Sequence, residues 1–189
     1  MAEEKFPIVN DFEAFIQEFK DESDRAIVVL TAARLDFLLS LILQKYLVAN
    51  AGTVDEFFEN QGPGSTFSNK IMLVFRLGLI DSDFARTLHL VRKIRNDFAH
   101  ETAACSLEKG SHKDRIRGLV APYKDIPFFA RFKRVYFKDI GPSRADYMTV
   151  VGLAILRLHY LFEVLGTIPT ETALSLFSSK MRASKEKEK

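Results

Sequence analysis

Residues 26–49 read AIVVLTAARLDFLLSLILQKYLVA, the longest apolar stretch in the chain. Its length suits either a membrane span or a core helix. Arg34 and Asp36 stand at its centre, where a bilayer would make them costly. The stretch therefore reads as a long buried helix and no membrane partner is expected. Ser23 or Asp24 is placed to cap its start, and Gly52 follows as a stop, so the helix is expected over about 24–49.

Working outward, nearly everything else is helical in pattern. In DFEAFIQEFK (11–20), Phe12, Phe15, Ile16 and Phe19 recur at helical spacing. VDEFFEN (54–60) reads as a short helix. GPGS (62–65) is a firm break. A helix over about 66–77 follows, with Ser65 or Thr66 as cap and Ile71, Val74 and Phe75 inward, and it stops at Gly78. Asp81 or Ser82 caps the next helix, 82–100. Residues 103–141 are the least regular, with a short helix near 111–119 and an aromatic stretch at 128–138. VYFKDI (135–140) has some strand character. Pro142 suits the first turn of a final helix over about 143–166. The tail KMRASKEKEK has no core-forming residues and is expected to be disordered.

These elements predict an all-α, single-domain helical bundle with an irregular 103–141 insertion. The domain is expected over 1–170, followed by a C-terminal segment, 171–189. A chain of 189 residues can bury one core, and its 17 Phe and no Trp make Phe the main filler. The one cysteine, Cys105, allows no internal disulfide. With four scattered His and no paired spacing, no metal site or other cofactor is expected. The acidic N-terminus has no apolar signal region, so a cytoplasmic location is expected.

Charge is unevenly spread. Residues 1–24 hold eight acids and two lysines, whereas 113–138 hold eight Lys or Arg and two Asp. Such asymmetry fits a polyanion-binding patch, or two segments that pair within the chain or across a dimer. The basic part, SHKDRIRGLVAPYKDIPFFARFKRVYFKDI (111–140), interleaves Lys113, Arg115, Arg117, Arg131, Lys133 and Arg134 with six aromatics. Interleaved cations and rings suit single-stranded nucleic acid, whose bases stack and whose phosphates pair. The other account makes the aromatics core and the cations their solvated edge.

The segment RKIRNDFAH (92–100) ends the 82–100 helix. With Arg95 at zero and about 100° per residue, Phe84, Leu88, Val91, Ile94 and Phe98 fall on one arc, from roughly −100° to +20°. His89, Arg92, Asn96 and His100 cluster beside it at roughly +60° to +140°. Asp97 points elsewhere, toward solvent. Arg95 belongs by angle to the apolar arc, and a buried guanidinium needs an anion. In one account it forms a structural ion pair with Asp24 or Asp36, and His100 simply favours the helix C-terminus. In the other, Arg95 holds a phosphate, Asn96 orients it, and His100 acts as acid or base on a ribose hydroxyl, without a metal, while Arg92 beside them is a candidate nucleic-acid contact.

GPGSTFSNKIMLVFRLGLIDSDFARTLHLVRKIRNDFAH (62–100) closely resembles the mannitol operon repressor family. The likeness lies in the order of parts: GP-x-STFS-x-K-I, a helix ending in LGLI, then a helix ending in VRKIRNDFAH. DESDRAIVVLTAARLDFLLSLIL (21–43) resembles that family's first long helix, and LAILRLHYLF (153–162) is similar in character. RNDFAH (95–100) also has the R-x4-H form of HEPN domains, with a polar residue after the arginine. Many of those are metal-independent ribonucleases or toxins, often dimeric with the motif at the interface.

The resemblance implies a regulatory protein, a transcriptional regulator in that family, that binds a protein or nucleic-acid partner, as a homodimer. The alternative it implies is a ribonuclease using Arg95, Asn96 and His100. No helix-turn-helix with a basic recognition helix is apparent, so a part in repression is expected to run through a protein contact.

Overall fold

Asp24 to Tyr46 forms the first helix of the structure, α1. The structure, a computed structural model, describes residues 19, 21–50, 52–59, 61–101 and 105–166. Five further helices lie within them: α2 (Phe67–Arg76), α3 (Ser82–His100), α4 (Gly110–Val120), α5 (Pro127–Tyr136) and α6 (Pro142–Val164). The described residues contain no strand. The expected helical stripe over 11–20 and the tail lie outside the described residues, except for Phe19, which is buried.

Local chemistry sets most boundaries. The Ser23 hydroxyl accepts from the Ala26 amide at 3.2 Å, Thr66 from Asn69 at 3.1 Å, and Asp81 from Phe84 at 2.8 Å. Each answers an orphan donor in a first helical turn. Gly78 ends α2 at φ 73°, a left-handed value that favours glycine. The Leu79 and Gly78 amides then bond back to the Val74 and Phe75 carbonyls, closing a Schellman turn. Pro142 opens α6 as expected.

Four expectations need correction. Phe75 of α2 is 41% exposed rather than inward beside Ile71 and Val74. α1 ends at Tyr46 rather than near Ala49. Residues 54–59 form turns, not a helix. The chain there is folded back on itself: the Gly64 amide donates to the Phe57 carbonyl at 2.8 Å, and a Cβ on Gly62 would sit 2.1 Å from the Glu56 carbonyl oxygen. Residues 103–141 are also more regular than expected. They carry α4 and α5, and VYFKDI is the end of α5 and its following turn, with no strand. Pro127 explains part of this, because it pre-sets the first turn of α5.

α1 and α6 form the central pair, with α2 and α3 against α1, and α4 and α5 against α6. By length and composition both central helices could cross a membrane, yet half of each apolar window is buried within the fold. The two charges inside α1 have partners: Asp36 takes the Lys70 ammonium at 2.9 Å, and Arg34 lies 3.3 Å from His159. Between the pair, the Tyr147 hydroxyl meets Thr31 Oγ1 at 3.0 Å in a fully buried contact. Thr31 donates to the Ile27 carbonyl, so Tyr147 is the donor to Thr31. Burial pushes the Tyr147 phenol well above its usual pKa.

The start of α6 is capped from a distance. Its N-cap is Gly141, which has no side chain to offer. Glu108, before α4, supplies the acceptor, and one carboxylate oxygen takes the Ser143 amide at 2.9 Å and the Arg144 amide at 3.0 Å. A Cβ on Gly141 would lie 2.5 Å from that oxygen, so glycine makes room for the cap. Replacing Glu108 with Ala removes both acceptors and a charge favoured by the helix dipole. The expected loss is about 1–2 kcal/mol in urea unfolding; a loss below a few tenths would mean that water caps α6 as well as Glu108 does.

Candidate functional site

α3 presents its core stripe as the spacing predicts. Phe84, Leu88, Val91, Ile94 and Phe98 are all buried. Beside the stripe, Arg92, Arg95 and Asn96 are half-buried, and His100 is exposed. His89, one turn before Arg92, has its pKa lowered by burial first and by the Arg92 charge second.

The expected ion pair of Arg95 with Asp24 or Asp36 does not form. Asp36 is taken by Lys70. Asp24 sits between the Leu107 amide, at 2.8 Å, and the Arg144 guanidinium, at 3.5 Å. Arg95 lies at the rim of the apolar arc, where a long side chain can lay its stem on the core and carry its charge outward. Among the described residues it makes no ion pair. Arg95, Asn96 and His100 thus stand on the last turns of one helix with the arginine uncommitted.

Asp97 is not solvated as expected. It is half-buried and forms an ion pair with Arg115 of α4. The next turn is held as well. Glu101 accepts from His112 Nε2 at 2.8 Å, and the Glu101 carbonyl takes the Arg25 guanidinium at 2.6 Å. The His112 ring lies against Phe98, with centroids 4.4 Å apart. These contacts clasp the C-terminal end of α3 to α4 and to the start of α1. His112, only 8% exposed, is the residue that the sequence reading missed. Nothing local marks it, because its partners Phe98 and Glu101 lie on another helix and beyond its end.

The basic residues divide. Arg115 is committed to Asp97, Lys133 pairs with Asp146 of α6 at 2.5 Å, and Arg117 pairs with Asp114 at 2.8 Å on the surface. Lys113, Arg131 and Arg134 are exposed. Of the aromatics among them, Phe129, Phe132 and Phe137 are core, and Phe128 is 40% exposed. The rings therefore serve packing more than stacking on a ligand. Two surface clefts lie around residues 44–63, and none of Arg95, Asn96 and His100 lines either. Among the described residues no three metal-ligating side chains come together.

The fold and this helix end define an all-helical bundle with a polar, clasped corner. No family model matches the chain, and no curated protein matches it. A solved structure is similar: a chain of the X-ray structure of the MtlR–HPr complex from Escherichia coli. It has a TM-score of 0.56 and 15% identity, over 79% of this chain and 99% of that one. The likeness is one of fold.

Proposed function

We propose that this protein is a non-catalytic regulatory module that acts by binding another protein. The observation that carries this reading is the likeness of fold over 99% of a chain solved in the MtlR–HPr complex. The clasped end of α3 supports it, since Arg115 and His112 serve the scaffold there. In this reading the module is cytoplasmic and dimeric, and any part in transcription runs through the bound protein. HPr is the first probe. Calorimetric titration with HPr is expected to show saturable binding in the micromolar range, and no heat at any attainable concentration would count against this partner class.

One observation favours a second reading, the HEPN-type ribonuclease. Arg95 has no ion-pair partner among the described residues and stands beside half-buried Asn96 and exposed His100. Such a group can hold a phosphate next to an acid or base. Labelled RNA, incubated with the protein in the presence of a metal chelator, separates the two. The regulatory reading expects no cleavage. Cleavage that disappears in His100→Ala would replace it with the ribonuclease.

A further inference from the structure

α1 has two faces. The inner arc, including Ile27, Thr31, Leu35, Leu38 and Ile42, is buried in the bundle. The outer face carries Ala26, Leu30, Ala33, Phe37, Ser40 and Gln44, in steps of four, three, four, three and four residues. This is heptad spacing, and it holds one seam along about 27 Å of helix. The seam is open: Leu30 is 45% and Phe37 52% exposed. Val29 and Leu41 flank it. On α6, Tyr160 is 70% exposed and follows directly on His159, the neighbour of Arg34. The bundle's own core does not require large apolar side chains at these outer positions.

We propose that this face of α1 binds a second copy of this chain, α1 against α1, antiparallel about a two-fold axis level with Leu35. The seam is self-complementary in that orientation. Ala33 faces Phe37 of the second copy, Leu30 faces Ser40, and Ala26 faces Gln44, so each larger side chain meets a smaller one. In a parallel pair, Phe37 would meet Phe37 and Ala33 would meet Ala33, leaving a crowded layer beside an empty one. A two-fold contact needs this kind of self-match. A helix pair of this length covers on the order of 1,000 Å², the lower bound for a specific interface, and Val29, Leu41 and Tyr160 widen it. α3 packs on the inner side of α1, so both Arg95–His100 ends stay outside the contact. The same register sets the two Arg34 flanks against each other, and added salt therefore tightens the dimer.

The proposal rests on the dimeric part of the reading above and names its face. Its test reads stoichiometry, which neither HPr binding nor RNA cleavage reports. Sedimentation velocity of the full chain over a wide micromolar range is expected to show a dimer. Leu30→Glu with Phe37→Glu is expected to give a monomer of unchanged helical circular dichroism. Ala33→Phe, which sets large against large, is expected to weaken association on the order of tenfold. Val54→Glu, an exposed apolar position off the seam, is expected to leave the dimer intact. A wild-type chain that is monomeric throughout overturns the proposal, as does a dimer that survives the double substitution. A monomer that dimerises only after residues 1–18 or 167–189 are removed also overturns it, and assigns the seam to a terminal segment.

Discussion

Phe98→Ala is expected to cost about 3–5 kcal/mol of stability. Phe98 is fully buried and lies between Arg95 and His100 in the motif. Its ring packs against His112, so truncation opens a cavity where α3 is clasped to α4. For a chain of this size the loss corresponds to a fall in Tm of about 10 °C. His100→Ala, two residues on and exposed, is expected to stay within about 0.5 kcal/mol of the parent. Thermal unfolding of the two variants side by side checks the contrast. If Phe98→Ala lost less than His100→Ala, the core role of the motif's aromatic residue would be wrong.

The second large effect lies at the start of α1, where α6 meets it. Arg144 bonds the Glu22 carbonyl at 2.7 Å and the Phe19 carbonyl at 3.3 Å, and faces Asp24 at 3.5 Å. The side chains of Arg144 and Asp24 are only 19% and 14% exposed. Arg144→Met strips the donors from two carbonyls and leaves a mostly buried carboxylate with only the Leu107 amide. We expect a loss of about 2–4 kcal/mol. Asp24→Leu combined with Arg144→Met is expected to lose clearly less than the sum of the single changes, because the second removes the charge that the first exposes. Strict additivity in urea unfolding would mean that the two side chains do not interact.

Both effects turn on contacts that a linear reading does not contain. Asp24 and Asp36 are candidate partners for Arg95 because they are carboxylates on the long helix. Periodicity gives the angle of Arg95 on its own helix, but not which helix faces it, nor whether a flexible side chain turns outward. The same limit applies to the basic segment. Its charge count is plain, but Arg115 and Lys133 are committed to Asp97 and Asp146, residues of other helices. The exposed cations among the six, Lys113, Arg117, Arg131 and Arg134, make a thinner surface than the sequence suggests.

What the sequence determined by itself was local. Apolar spacing marked α1, α2, α3 and α6, and Ser23, Thr66, Asp81, Gly78 and Pro142 marked their ends. These signals depend on neighbours within one or two turns, where the chain itself fixes the geometry. The tertiary structure alone decided the pairing of Asp36 with Lys70, the capping of α6 by Glu108, and the clasp of His112 on Glu101 and Phe98. In each case the partners are brought together by helix packing across long sequence separations or by a turn of the chain, and such contacts leave no periodic trace in the sequence. The exposed seam of α1 belongs to both. Its heptad spacing was present in the sequence, but only the packing of the other helices against the inner arc revealed which face was left open.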